Sequence, residues 1–432
     1  MDNINTSSQE LINFIHTSPS TFHVVKNMAE ELTKAGFEPL NLKDAWQLKQ
    51  GGKYFTTRNG SSLFAFIVGT GKPEEEGFKI VSAHCDSPSF KLKPSPEIAV
   101  ENYFVKLNTE VYGGPIFMSW LDRPLSIAGR VSIRSNNPLQ PENRLINIDR
   151  PTVIIPNLAI HLNRAVNDGV AFNQQKDLLP LLGITSENEP AKGFVTRMIA
   201  KELDIKESDI LDFDLTLYEY QSGCIMGAQN EFISSPKLDN LASTHAGLKA
   251  ILEAKSAKAT KMLAIFDNEE VGSVTKQGAG SPIFKNLFER ILYHLGKSGE
   301  DYHRTIYQSF MISADMAHSI HPNLVEKHDP VLHPVINGGP VIKIHANQKY
   351  TTDGESGAIF EAICRQAGVP CQKFVNRSDM VGGSTLGNVS TGQLDIKCVD
   401  VGNAILGMHS VRELGGTKDH EYMIKAMKCF FD

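Results

Sequence analysis

Apolar positions along this chain collect into short continuous runs more often than into amphipathic stripes. LFAFIV (63–68) and FKIVSA (78–83) are brief, rich in β-branched or aromatic side chains and bounded by Gly or Pro, a pattern that predicts buried strands. After Pro236 the pattern alternates. A helical stretch LASTHAGLKAILEA is followed by a strand MLAIF (262–266), a helix near SPIFKNLFERILYHL and a strand FMISA. Strands near VIKI, KFV and CVDV come next, with helices after Gly354 and after Lys418. Alternation of this kind predicts an α/β fold, with a mixed, mostly parallel sheet flanked by helices. Ligand sites in such sheets lie at the carboxyl ends of the strands.

The stretch from 93 to 235 departs from this pattern. It carries short extended pieces such as TEVYGGPIFMSW, IAGRVSI, TVIIP and LTLYEY between Gly, Pro and Asn turns. These predict an inserted β-rich domain, which divides the α/β domain into residues 1–92 and 236–432. The run Glu74, Glu75, Glu76 is expected at a solvated hairpin tip.

Composition narrows the classes. With 432 residues, 41% hydrophobic and 21% charged, the chain reads as an ordinary globular protein with material for one large core or two smaller ones. A net charge of -6 and the lack of any dense Lys/Arg cluster argue against nucleic acid or an anionic membrane as partner. No apolar run approaches the roughly 20 residues needed to cross a bilayer, and MDNINTSSQELINFIHTSPS has neither the basic start nor the apolar stretch of a secretory signal. Six cysteines are scattered without a CxxC pair, which predicts free thiols in a reducing cytoplasm.

The chemistry is concentrated where the strands end. FKIVSA ends in His84-Cys85-Asp86, MLAIF in Asp267-Asn268-Glu269-Glu270, and FMISA in Asp315 with His318 beyond it. The turn KLDN, with Asp239, precedes the long helix, and His409 comes after CVDVGNAILGM. Apolar strands that each end in ionisable side chains would set like charges together, and a buried carboxylate without a partner costs several kcal/mol or takes up a proton. Two divalent metal ions resolve the conflict. With Asp239 bridging, Glu270 and Asp315 as further ligands and His84 and His409 neutral, three negative charges face four positive ones, leaving one unit for a hydroxide. Imidazole mixed with carboxylate suits zinc first, with cobalt or manganese as substitutes. Neighbours on an extended chain point in different directions, so Glu269 is free to act on the bridging water as general base. Asp86 is placed to orient His84. Taken singly, each feature has a plainer reading, since a lone histidine is more often structural and a Glu-Glu pair more often a solvated loop. Their shared position at strand ends is what raises them.

These motifs resemble the aspartyl aminopeptidases, a family of two-metal zinc aminopeptidases. The resemblance is carried by SPSTFHVV (18–25), SAHCDSP (82–88), AIHLNRAVN (159–167), PKLDNLAS (236–243), DNEEVGS (267–273), SADMAHSIHPN (313–323), GPVIK (339–343) and GMHSVRE (407–413), which span nearly the whole chain in family order. It implies one metal on His84, Asp239 and Asp315, the other on Asp239, Glu270 and His409, and Glu269 as the proton-transferring group. It implies substrate contacts from His318, Lys343 and Tyr350, and a His161 that reaches a neighbouring subunit's site from the inserted, dimerising domain. The implied partners are peptide substrates, from which N-terminal Asp or Glu is expected to be removed, and further copies of the chain in a homo-oligomer of twelve. A pocket for acidic side chains must supply a cation or several donors, the part expected of Lys343.

The chain departs from the family at Leu324, where Tyr is common, and at Leu414-Gly415-Gly416-Thr417. These departures leave open a preference for neutral or apolar N-terminal residues. Two-metal exopeptidases of neighbouring classes share the same metal logic, and a catalytically silent assembly protein would retain the shell alone. No GxxxxGK[ST], HExxH or GxSxG occurs, so nucleotide hydrolysis, single-zinc proteolysis and serine hydrolysis lack their parts. The pair Gly113-Gly114 is read as a tight turn or a place of close backbone approach.

Overall fold

The computed structural model describes residues 2–169, 171–186 and 190–432. Nine strands form the main sheet, in the order Glu38–Pro39, Lys53–Arg58, Ser62–Ile67, Thr260–Phe266, Phe78–His84, Phe310–Ala314, Lys397–Gly402, Val341–Lys343 and Gln372–Phe374. The central run from Thr260–Phe266 through Phe78–His84 and Phe310–Ala314 to Lys397–Gly402 is parallel. Antiparallel pairings flank it, so the sheet is mixed and mostly parallel, as expected.

Both faces of the sheet are covered, and the strands show it residue by residue. In Ser62–Ile67 every position is buried, and successive side chains enter opposite cores. Leu63, Ala65 and Ile67 pack with helices Asp2–His16, Leu238–Glu253, Gly354–Ala367 and Thr417–Phe431. Phe64 and Phe66 face helix Ile283–His294 through Phe284, Leu287 and Phe288. An all-apolar strand is therefore required here, where a one-sided sheet would need alternation. The helices start on local signals: Asp353 accepts a hydrogen bond from Ser356 N at 2.8 Å, and Ser298 and Asp301 form a second capping box.

A second, antiparallel sheet contains Ser89–Val100, Phe104–Tyr112, Leu125–Ile133, Glu142–Asn147, Leu181–Ile184 and Ile210–Glu219. It has its own core, built on Phe90, Leu107, Trp120 and Leu217 with helix Phe194–Leu203. The sheet begins at Ser89, and the segment after it, Cys224–Met226 and Phe232–Ser235, pairs instead with Glu413–Gly416 near the C-terminus.

One expectation is corrected. Glu74, Glu75 and Glu76 are not a solvated hairpin tip but part of a short helix, Pro73–Glu76, which Gly77 ends at φ 66°. Glu74 is buried and lies 2.8 Å from Lys297. Proline at the first helical turn and acidic groups at its positive end favour the helix, and Lys297 supplies the charge that lets Glu74 be buried.

Candidate metal centre

Because Thr260–Phe266, Phe78–His84 and Phe310–Ala314 run parallel, their carboxyl ends deliver His84, Asp267 to Glu270 and Asp315 to one edge. Helix Leu238–Glu253 begins above them. Its first turn departs from helical geometry at Asp239 (φ -82°, ψ 105°), which turns the carboxylate into the site. His409 arrives from the opposite side at φ 68°.

These residues converge on Asp239. Its Oδ1 lies 3.5 Å from His84 Nε2 and its Oδ2 lies 3.6 Å from His409 Nε2. His84 Nε2 is also 3.3 Å from Asp315 Oδ1, and His409 Nε2 is 3.5 Å from Glu270 Oε1. Three groups result, two of which share Asp239: His84 with Asp239 and Asp315, Asp239 with Glu270 and His409, and His84 with Glu269 and Glu270. Within each, the ligating atoms lie inside 4.8 Å of one another. Asp239 Oδ1 is buried without a hydrogen-bond partner, an arrangement that a cation would satisfy. The donor set therefore fits a cation on either side of Asp239.

The electrostatics point the same way. Burial, then Asp239, pushes Glu270 well above the usual carboxylate range, and burial raises Glu269 to about 7. For His409 burial works downward, but Asp239 and Glu270 outweigh it and raise the imidazole to about 10. Positive charge between the carboxylates would reverse these shifts.

Asp86 supports the edge from behind. His84 Nδ1 lies 3.1 Å from Asp86 O and 3.4 Å from Asp86 Oδ1, which assigns the proton to Nδ1 and turns Nε2 toward Asp239 and Asp315. The same carboxylate accepts from Glu269 N and Glu270 N, each at 3.1 Å, and from the Tyr112 hydroxyl at 2.7 Å. A single side chain thus orients the His84 imidazole and fixes the backbone of the Glu269-Glu270 turn.

His84, Asp239, Glu269, Glu270, Asp315 and His409 open into one cavity, whose farther wall includes His318, Lys343, Tyr350 and Phe374. His318 is set edge-on to Phe374, with ring centroids 5.7 Å apart. Lys343 is buried; its ammonium lies 5.0 Å from the Tyr350 ring centre and 3.1 Å from Asp315 Oδ2. Burial disfavours its charge, but Asp315 prevails and raises its pKa. His161 does not join this cavity within the chain; it is exposed, on the turn after the bridge formed by Ile154 and Leu181.

Two contributors were not singled out from the sequence. Glu413 is buried and accepts from Asp239 N and His409 N, each at 2.8 Å. Gly114 O lies 3.1 Å from His409 Nδ1, so the inserted sheet's turn orients that imidazole. Both lie in segments the sequence marked, GMHSVRE and the Gly113-Gly114 pair, but their roles depend on contacts between distant segments.

Comparison with known proteins gives this centre its context. The family described as aminopeptidase I zinc metalloprotease (M18) matches residues 14–431. A probable M18 family aminopeptidase 2 of Clostridium acetobutylicum is 52% identical over 425 residues, covering 98% of both chains. The fold is similar to a chain in a cryo-EM structure of the Ape4 and Nbr1 complex, with a TM-score of 0.94, 35% identity, and coverage of 99% of this chain and 86% of that one. It also matches the S. cerevisiae mApe1 dodecamer, with a TM-score of 0.86, 28% identity, and coverage of 99% and 97%. A match spanning nearly the whole chain, on a fold that gathers histidines and carboxylates at one sheet edge, places the chain in the M18 family of zinc metallo-aminopeptidases, to which the aspartyl aminopeptidases also belong.

Proposed function

We propose that this aminopeptidase works with two ions, one held by His84, Asp239 and Asp315 and the other by Asp239, Glu270 and His409. The observation that carries the reading is Asp239, buried, with one oxygen toward each histidine at 3.5 and 3.6 Å. Zinc suits this donor set, with cobalt or manganese as substitutes. Bound there, the ions would polarise a peptide carbonyl and acidify a shared water. Glu269 is the assigned general base. It lines the cavity and stands outside both Asp239 groups, which leaves its carboxylate free to face a water held there. Asp86 keeps the His84 proton on Nδ1 and holds the Glu269 backbone.

The proposed substrates are peptides with N-terminal Asp or Glu, received by Lys343, His318 and Tyr350 on the cavity wall. One observation favours a second reading. The Lys343 ammonium is already engaged by Asp315 and two carbonyls, and Met316, Ala317, Phe374 and Val389 add apolar surface, which suits neutral or apolar N-terminal residues. Comparing kcat/KM on Asp-, Glu- and Leu-initiated peptides separates the two, and the larger value decides. Metal analysis, followed by release of free amino acid with and without chelator, tests the chemistry. Protein without metal or hydrolysis would leave only a silent relative.

The proposal extends to an assembly of twelve subunits in which His161 serves a neighbour's site. The dodecameric mApe1 fold and the exposed Leu158, Ile160 and Leu162 around His161 support this reading. A cytoplasmic setting is proposed on the six free cysteines.

A further inference from the structure

The two ligand groups around Asp239 are held in place by different means. His84 ends a central strand, and the backbone on either side of the first group is tied into the sheet: Cys85 N donates to Phe266 O and Asp315 N to Val401 O, each at 2.9 Å. The second group is tied at His409 not to the main sheet but to the turn after Gly114, where Ile116 N donates to His409 O at 2.9 Å, and His409 sits on a loop at φ 68°. Glu413 joins that loop directly to Asp239. Its Oε2 accepts from Asp239 N and its Oε1 from His409 N, both at 2.8 Å, with the side chain buried. Arg412 next to it is anchored to Glu219 at 3.1 Å and to the carbonyls of Gln221, Ser222 and Ser234, so the bracket has a fixed base.

From this geometry we infer that Glu413 is a positioning residue that preforms the Asp239, Glu270 and His409 group for its ion: its bond to Asp239 N bears on the residue both groups share, while its bond to His409 N acts on this group alone, and the sheet bonds at Cys85 and Asp315 keep the other group in place. The inference rests on the two-ion reading above. Only a carboxylate offers two equivalent acceptor oxygens at this spacing; an amide would set an NH2 against one of the two N–H donors. Removing such a support weakens metal binding by roughly ten- to a hundredfold.

The test is zinc titration of the full-length protein and its Glu413→Gln variant, read by metal content after gel filtration and by competition with a chromophoric chelator. Wild type is expected to hold two ions per chain. Glu413→Gln is expected to hold one tightly and to bind the other ten- to a hundredfold more weakly, with turnover recovering as zinc is raised. Glu413→Asp, which keeps the charge but is one methylene too short to reach the two donors, is expected to show the same selective loss and serves if the amide variant does not fold. Two ions bound by both variants with unchanged affinity would overturn the role of Glu413, as would equal weakening of both ions. Wild type holding a single ion would instead overturn the two-ion reading, and this inference with it.

Discussion

Lys343 donates to Asp315 Oδ2 at 3.1 Å, and the same nitrogen lies 2.9 Å from Met316 O and 3.3 Å from Asp315 O. An ammonium has three protons, and these three acceptors occupy them. On the second reading of substrate preference, Lys343 therefore acts on the protein, balancing the charge of Asp315 and fixing its backbone. In Lys343→Met, metal binding at the His84, Asp239 and Asp315 group is expected to weaken by roughly ten- to a hundredfold. Turnover should fall alike on Asp- and Leu-initiated peptides. Metal titration with parallel kinetics on both peptides checks this, and a loss confined to acidic peptides would return Lys343 to substrate binding.

Glu269 and Glu270 are adjacent in sequence, but only Glu270 joins the group containing Asp239 and His409. A glutamine at 269 keeps the shape and removes the proton acceptor. Glu269→Gln is expected to retain the wild-type metal content and lose about 10²- to 10⁴-fold in kcat, the range of a general base. Metal analysis and single-turnover assays check both halves; near-normal turnover would remove Glu269 from the mechanism.

The main sheet was legible because doubly covered strands such as Ser62–Ile67 leave no room for polar positions, so the run itself is the signal. His84, Asp267 and Asp315 were legible because they interrupt such runs where the strands end. Glu413 could not be found in this way. It ends no apolar run, and its acceptors meet backbone donors of Asp239 and His409 that only the folded chain brings together. The Gly114 carbonyl carries no side-chain signal at all. Glu74 misled for a related reason: an acidic run reads as solvated until the distant Lys297 is known to face it. Local patterns reveal burial and termini, while pairings between distant segments leave little trace in a single sequence.

Three histidines away from the centre are expected to lower the protein's stability in acid. Burial lowers His23 to about 4, with Lys237 and Lys26 adding to it, and lowers His420 to about 3, with Lys249 adding. His245, hydrogen-bonded to His420 at 2.8 Å, is also held well below its ordinary value by burial. These rings are neutral when folded and take up protons when unfolded near pH 6.5. Their contribution is complete above that pH and is lost as pH falls toward the folded values, by up to about 1.4 kcal/mol per unit for each ring. Urea unfolding at pH 7 and pH 5 should show the drop, and His420→Gln should show a smaller one. Equal drops in both proteins would exclude His420 as a source.

Gly113 lies at φ 69°, and a Cβ built on it would stand 3.1 Å from Glu270 Cβ. The turn therefore uses the missing side chain twice, once for its backbone conformation and once to let the inserted sheet approach a proposed metal ligand. Gly36 separates the two effects. It has φ 82° with nothing within 4 Å of its Cβ position, so Gly36→Ala carries the conformational cost alone, about 1 to 2 kcal/mol of stability, and keeps wild-type turnover. Gly113→Ala carries that cost and also displaces Glu270, so kcat and the affinity for an ion on Asp239, Glu270 and His409 are both expected to fall. Unfolding midpoints together with metal titration of the two variants distinguish the cases. If Gly113→Ala loses stability but binds metal as the wild type does, the close approach to Glu270 has no part in shaping the centre.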